Sequence, residues 1–289
     1  MRLAVSGQVL ARTHSLARIL DLLRSLGVDA LEIWPQNLAG GETPDDQSRY
    51  ERKDVAAARR AIESAGAAVA CLTLGGRAIR RCADEGPAVG SEALKGAVDA
   101  AAALGARLVN CYLSAISPEL FVDVVRPAAE HAGRLGVTIV LENEAHDDSG
   151  TAAGVRAIVA AVGSPHFGTL YDPCNYYQAD EEPYPYAYEL LKDMIRYVHL
   201  KGGCRYEPQL RPDDHRGGAL RGSSERFIGY VPLPEGAANV DGLIDRLARD
   251  RYTGFVTLEP HVPPERLVDL LRVEVPYVRA RLAEPAGRG

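Results

Sequence analysis

Apolar positions along the chain fall into eight short runs, separated by longer segments in which apolar and charged residues alternate at helical spacing. The run from Val137 to Leu141 is continuous, as expected of a parallel strand covered on both faces. The other runs lie near residues 3–5, 30–34, 68–73, 107–111, 168–172, 196–200 and 255–259. Glycine suits the left-handed residue that ends a helix, and four of the runs are preceded by such a residue: Gly27, Gly66, Gly105 and Gly136.

Eight strands alternating with helices over about 250 residues predict an α/β protein with a (β/α)8 TIM barrel fold. An open, doubly wound sheet is the alternative, but no GxGxxG motif follows the first run. No linker rich in Pro, Gly or Ser divides the chain, so residues 1–289 are predicted to form a single domain. A long connection from about residue 202 to 234 follows the seventh strand, and loops of this length are usually functional. We expect it to cover the substrate.

Composition narrows the function classes. The net charge is -6 and no dense Lys/Arg block occurs, which argues against a nucleic-acid partner. No apolar run approaches the roughly 20 residues that a membrane span needs. The first apolar run begins near residue 3, so we expect no signal peptide, and the five cysteines are scattered without a CxxC pair. These features predict a cytoplasmic protein with reduced thiols.

Four of the predicted strands end in a residue that can bind a metal: Glu142, Asp172, His199 and Glu259. In a barrel the carboxyl ends of the strands meet at one rim, so these side chains should point into one mouth. The alternative is that each is an ordinary ion-paired residue at a strand end. Three carboxylates and one imidazole favour a single divalent cation, with Mn²⁺ preferred and Mg²⁺, Co²⁺ or Zn²⁺ as alternatives.

Several neighbouring residues are candidates for contact with a substrate. Trp34 shares one strand face with Glu32, and it forms either an apolar wall beside a ligand or a cap on the barrel. Lys201 and His261 each lie two residues beyond a predicted ligand, so strand alternation aims them at the same mouth. Glu144 follows Glu142 by the same interval.

The motifs Leu-Glu142-Asn, Tyr-Asp172-Pro-Cys-Asn175, Val-His199-Leu-Lys201 and Leu-Glu259-Pro resemble the xylose isomerase-like TIM-barrel superfamily over essentially the whole chain. This superfamily includes sugar isomerases, ketose 3-epimerases, inosose dehydratases and type IV (AP endonuclease 2-type) endonucleases. In the ketose 3-epimerases an arginine six residues after the metal-binding histidine holds substrate hydroxyls, which implies that role for Arg205. Asn175 stands where the epimerases and endonucleases usually have histidine, and it is a further candidate for contact with the substrate. The earlier strands also lack the additional histidines of the endonucleases, which argues against DNA repair.

The resemblance implies a divalent metal that chelates the carbonyl and adjacent hydroxyl of a keto-sugar and stabilises an enediolate. Glu142 and Glu259 would then exchange protons with opposite faces of the substrate, which gives an epimerase. Proton transfer on one face gives an isomerase. A leaving group on the neighbouring carbon gives a dehydratase, or a lyase that cleaves oxidised glycosides, including C-glycosides. A non-catalytic sugar-binding barrel that keeps the metal is a further alternative. The expected partner is a small sugar or keto-sugar, and assembly as a homodimer is left open.

Overall fold

Parallel strands pair side by side until the last of them meets the first. The computed structural model describes residues 1–41, 49–206, 219–221 and 227–283. The strands of these residues are β1 (Arg2–Ser6), β2 (Ala30–Ile33), β3 (Ala68–Thr73), β4 (Leu108–Cys111), β5 (Thr138–Glu142), β6 (Phe167–Tyr171), β7 (Ile195–Leu200), β8 (Gly203–Tyr206), β9 (Ala219–Arg221), β10 (Phe227–Tyr230) and β11 (Phe255–Leu258). The first seven and β11 form a closed barrel in the order β1-β2-β3-β4-β5-β6-β7-β11, and β11 pairs with β1. The predicted (β/α)8 barrel is confirmed.

Helices surround the barrel on its outer side. They are α1 (Leu16–Ser25), α2 (Val55–Ala65), α3 (Gly76–Arg80), α4 (Cys82–Glu85), α5 (Pro87–Ala103), α6 (Pro118–Leu135), α7 (Ala152–Val162), α8 (Pro173–Gln178), α9 (Tyr188–Leu191), α10 (Val240–Arg249) and α11 (Pro264–Ala283). Gly66 and Gly136 end α2 and α6 at φ +66°, and Gly27 and Gly105 also have positive φ, as predicted. None of the helices in the described stretches is long and apolar enough to cross a membrane.

Strand alternation divides the buried side chains into two layers. In β7, Val198 and Leu200 face outward and pack in the large core between the barrel and its helices. Tyr197 faces inward, where it packs with small residues such as Ala4 and Ala70 in a second, smaller core. His199 has the same inward orientation by alternation. The inner core therefore fills the lower part of the barrel and leaves room for polar side chains above it.

The long connection after β7 contains a structure that the sequence pattern did not predict. Strands β8, β10 and β9 form a small antiparallel sheet in that order. Residues 207–218 and 222–226 of the connection lie outside the described residues. The end of the connection contacts the outer helix α11, where the backbone N–H of Leu233 donates to Glu274 Oε1 at 2.8 Å.

Candidate metal centre

Four ligand-type side chains converge at the carboxyl end of the barrel. Glu142 ends β5, Asp172 directly follows β6, His199 lies in β7 and Glu259 directly follows β11. These strands are neighbours in the order β5-β6-β7-β11, so their ends meet on one part of the rim. The ligand atoms all lie within 4.8 Å of one another, and all four side chains are buried. The structure brings the four predicted residues together, while metal binding itself stays a prediction.

The donor atoms of this cluster suit a divalent cation. His199 Nδ1 lies 3.4 Å from Glu142 Oε1 and 3.4 Å from Glu259 Oε2. This nitrogen is buried and has no hydrogen-bond partner, whereas Nε2 of the same ring lies 2.5 Å from Glu32 Oε2. A buried imidazole nitrogen that lacks a partner is unfavourable unless something receives its lone pair. A cation between the nitrogen and the three carboxylates meets that need.

Lys201 places a positive charge against the same cluster. Its Nζ lies 2.9 Å from Asp172 Oδ2 and 3.0 Å from Glu259 Oε2. Burial lowers the pKa of Lys201, but these two carboxylates outweigh it and hold the pKa well above its ordinary value. Burial raises the pKa of Glu259, but Lys201 and His199 outweigh it and hold the pKa well below its ordinary value. Both partners of this pair are therefore kept in their charged forms.

Glu32 is a buried carboxylate to which the sequence reasoning gave no role. It lies on β2 and contacts five donor side chains, namely Ser6, Trp34, Thr73, Tyr197 and His199. Burial lowers the pKa of His199, but Glu32, Glu259 and Glu142 outweigh it and hold the pKa well above its ordinary value. An acidic residue between Leu31 and Ile33 in a buried strand is the signal that could have identified this position.

Two asparagines that the sequence reasoning did not single out orient the predicted ligands. Asn110 Nδ2 donates to Glu142 Oε2 at 2.7 Å. Asn143 Nδ2 donates to the backbone carbonyl of Asp172 at 3.0 Å, and its Oδ1 accepts from the Asp172 N–H at 2.9 Å. Asn175, a candidate for contact with the substrate, donates from Nδ2 to the carbonyl of Asn143 at 2.8 Å. These amides hold the ends of neighbouring strands in register around the cluster.

A cavity of about 260 Å³ opens directly above the cluster. Its wall includes Trp34, which places this residue beside the space for a ligand. The Trp34 ring lies 6.3 Å from the ring of Tyr112, centroid to centroid, with a tilt of 34°. The rest of the lining is mostly polar or charged: Gln8, Gly76, Arg80, Ser114, Glu142, Glu144, His146, Asp147, Lys201, Glu259 and His261. A small molecule rich in oxygen atoms, with one less polar face, fits this lining.

Glu144 and His261 lie in the cavity wall. Burial, followed by the charge of Glu142, raises the pKa of Glu144 to about 8. His261 Nε2 lies 3.3 Å from Glu259 Oε2, and the imidazole stacks on Tyr230 with ring centroids 4.9 Å apart. Tyr230 belongs to β10, so the small antiparallel sheet contributes to the surroundings of Glu259.

Arg205 contacts residues in and just after α8. It lies on β8, and its guanidinium pairs with the Asp180 carboxylate and donates to the Tyr177 carbonyl at 2.7 Å. It also lies over the Tyr177 ring, 5.0 Å from the centroid. Neither Arg205 nor Asn175 is among the described residues that line the cavity. Their contact with substrate stays a prediction, and the contacts seen here give each a structural role.

Comparison with known proteins agrees with this architecture. A family model described as a xylose isomerase-like TIM barrel matches residues 20–274. None of the curated proteins matches the chain in sequence.

Solved structures with the same fold include three of particular interest. The probable 3-DHS dehydratase AsbF of Bacillus anthracis, involved in petrobactin synthesis, has a TM-score of 0.71 at 17% identity, covering 96% of this chain and 99% of that one. The D-allulose 3-epimerase of Methylomonas sp., solved with D-allulose, has a TM-score of 0.72 at 16% identity, covering 97% of each chain. The IOLI protein, solved with a zinc atom, has a TM-score of 0.71 at 16% identity, covering 98% of each chain. At these identities the likeness shows the fold.

Proposed function

The chain belongs to the xylose isomerase-like TIM barrel family, and from that premise we propose that it is a divalent-metal-dependent epimerase or isomerase of a small sugar or keto-sugar. One observation carries the proposal. Three carboxylates and an imidazole, all buried, lie within 4.8 Å of one another beneath a polar cavity. Burying so many acidic groups is costly unless a cation compensates them.

Glu142, Asp172, His199 and Glu259 would hold the cation. When bound, it would act as a Lewis acid that stabilises negative charge on substrate oxygens. Oxygen ligands and one imidazole suit Mn²⁺ best, with Mg²⁺, Co²⁺ and Zn²⁺ as alternatives. The zinc atom in the IOLI protein belongs to that protein, and it supports the choice of a divalent ion for this family.

Glu142 and Glu259 are the proposed proton-transfer groups. They lie on β5 and beyond β11, with β6 and β7 between them, so they approach a bound substrate from different sides. Glu259 is held as a carboxylate by its ion pair with Lys201, so it is in the deprotonated form from which a general base acts. Glu142 is oriented by the amide of Asn110. Proton transfer by both groups, on opposite faces, inverts the configuration of a carbon next to a carbonyl, as in an epimerase. Proton transfer by one group, on a single face, moves the carbonyl to the neighbouring carbon, as in an isomerase.

Other residues of the cavity would bind and orient the substrate. Trp34 and Tyr112 form the less polar wall, against which the carbon skeleton of a sugar can lie. Lys201, Glu144 and His261 offer polar atoms in the same cavity. The substrate of the Methylomonas enzyme, D-allulose, is of the size and chemistry that we propose for this cavity.

A lyase or dehydratase acting on keto-sugars or oxidised glycosides is the second candidate. The likeness in fold to the probable 3-DHS dehydratase supports it, and the cavity lining contains the cations Arg80 and Lys201, which suit an acidic substrate. The same proton abstraction next to a carbonyl would begin either reaction.

Incubation in D₂O separates these outcomes. The protein is stripped of metal, reloaded with Mn²⁺ and given D-allulose and related keto-sugars. Recovered epimer or isomer that carries deuterium next to the carbonyl supports the first candidate, and an unsaturated product or a released aglycone supports the second. E142Q and E259Q, assayed at saturating Mn²⁺, should each lose roughly 10²- to 10⁴-fold in turnover. E63Q on the exposed face of α2 is the matched control and should keep full turnover. Metal binding without conversion of any keto-sugar would overturn the enzymatic proposal in favour of a binding barrel.

A further inference from the structure

The carboxylate of Glu32 lies between two groups that serve different parts of the site. Its side chain is 0% exposed. Oε1 lies 2.7 Å from Trp34 Nε1, on the side of the cavity wall. Oε2 lies 2.5 Å from His199 Nε2, on the side of the four-residue cluster. One rigid carboxylate therefore contacts both the predicted metal ligand and the wall that a substrate would touch.

The contact with His199 determines which ring nitrogen is free. When Nε2 carries a hydrogen and donates it to Glu32, the lone pair of the neutral ring lies on Nδ1. Nδ1 is the nitrogen that faces Glu142 and Glu259, 3.4 Å from each. A carboxylate behind a histidine ligand fixes the ring orientation and makes the imidazole a stronger ligand.

The contact with Trp34 fixes the position of the indole ring. The indole N–H lies within reach of Glu32 Oε1 and of Ser6 Oγ, the latter at 3.1 Å. The backbone N–H of Trp34 donates to Asn37 Oδ1 at 2.8 Å, so hydrogen bonds hold both the backbone and the indole ring of this residue. A shift of the Glu32 carboxylate would thus be passed to the indole ring in the cavity wall.

We propose that Glu32 is a positioning residue that couples metal binding at His199 to the orientation of Trp34 in the substrate cavity. This inference rests on the metal site of the proposed function. A carboxylate is required because it accepts hydrogen bonds on both oxygens. Trp34 and His199 contact different oxygens of Glu32, and a glutamine has an NH2 donor in place of one of them, so it cannot accept from both.

The chain contains a single tryptophan, so emission excited at a wavelength that tyrosine does not absorb reports on Trp34 alone. The affinity for Mn²⁺ is measured by calorimetry, and the emission spectrum is recorded during titration with diamagnetic Zn²⁺. In the wild type we expect saturable binding and a change in emission that follows the same saturation. In E32Q we expect the affinity to fall roughly 10- to 100-fold and the emission response to disappear. E32D keeps the negative charge, but its shorter side chain draws the carboxylate away from both partners. Its Mn²⁺ affinity and its emission response should lie between those of the wild type and E32Q, and it replaces E32Q as the test variant if E32Q does not fold.

Y197F is the matched control. Tyr197 donates to the same Oε2 of Glu32 at 3.0 Å, but it contacts neither the indole nor the imidazole by a hydrogen bond. The Y197F protein should bind Mn²⁺ with an affinity within about threefold of the wild type and should keep the emission response. If the wild type binds no metal, the proposed function fails together with this inference. If the wild type binds metal but E32Q binds equally tightly, or Y197F loses as much as E32Q, the coupling by Glu32 is wrong and the metal site stands.

Discussion

Lys201 Nζ lies 2.9 Å from Asp172 Oδ2, and both side chains are almost fully buried at the mouth of the barrel. Removing one member of such a pair leaves an uncompensated buried charge, which costs about 3–5 kcal/mol. We therefore expect metal-free K201M to lose about 3 kcal/mol in its free energy of unfolding. Saturating Mn²⁺ should restore much of that loss, because it supplies the missing positive charge. Denaturant unfolding with and without Mn²⁺ measures both quantities.

K192M is the control for this prediction, because Lys192 forms an exposed ion pair with Glu189. The free energy of unfolding of K192M should differ little from that of the wild type, since exposed ion pairs contribute little to stability. Equal losses in K192M and K201M, or a loss in K201M that Mn²⁺ does not reduce, would show that Lys201 does not compensate the predicted ligands.

Asn143 makes two hydrogen bonds to the backbone of Asp172, at 2.9 and 3.0 Å, and is 0% exposed. N143A leaves the buried N–H of Asp172 without a partner, at about 1–3 kcal/mol, and leaves its carbonyl with only the long bond from the Tyr176 N–H at 3.4 Å. We expect a loss of about 3 kcal/mol in the free energy of unfolding, measured by urea denaturation. N175A, which removes one donor from the Asn143 carbonyl, should lose clearly less. An N143A protein as stable as N175A would contradict this account of the strand ends.

Glu274 gives a pH dependence that is independent of the metal centre. Burial raises its pKa from 4.5 to about 7, while the Leu233 N–H that it accepts lowers it only in part. The folded state therefore binds the proton more tightly than the unfolded state. The contribution of Glu274 to stability is highest below pH 4.5, falls as pH rises through the interval up to about 7, and is constant above it.

The pH effect of Glu274 amounts to about 3 kcal/mol, at about 1.4 kcal/mol for each pKa unit. E274Q keeps an acceptor for Leu233 and has no charge to bury. Its free energy of unfolding relative to the wild type should rise between pH 5 and pH 8. Parallel curves for the two proteins over that range would show that Glu274 is already ionised in the folded state at low pH.

Tyr230 stacks on His261, which in turn lies 3.3 Å from Glu259 Oε2. Y230L removes the aromatic partner, and an aromatic contact of this kind is worth roughly 0.5–1.5 kcal/mol. We expect kcat/KM for the keto-sugar to fall roughly 2- to 10-fold, with the Mn²⁺ affinity unchanged. Y230F keeps the ring and should match the wild type. A loss in Y230F as large as in Y230L would assign the effect to the hydroxyl group.

The barrel could be predicted from the sequence because the signals for its strands and helix ends are local. Each buried parallel strand is a short apolar run, and a glycine such as Gly66 ends the helix before it. The predicted runs differ from the observed barrel strands by a residue or so at their ends. The family pattern then identified Glu142, Asp172, His199 and Glu259 as a group, because each lies at or beside the carboxyl end of a strand and these ends converge in this fold.

Side chains whose roles depend on contacts between distant strands could not be predicted in the same way. Glu32 meets His199 across the barrel, 167 positions apart, so nothing in its local sequence identifies the partner. The role given to Arg205 came from the resemblance, whereas its ion pair with Asp180 depends on the small antiparallel sheet, which the sequence pattern did not predict. The strands of that sheet are short and lie in a polar connection, where period-two alternation is too brief to recognise.

The central claim is tested most directly by metal analysis after equilibrium dialysis of the stripped protein against Mn²⁺. We expect one ion per chain in the wild type and in D245N, a control on the exposed face of α10. H199Q, which removes the free Nδ1, should weaken binding roughly 100-fold or more. Substoichiometric binding in the wild type, or H199Q binding as tightly as the wild type, would contradict a metal centre held by these four residues.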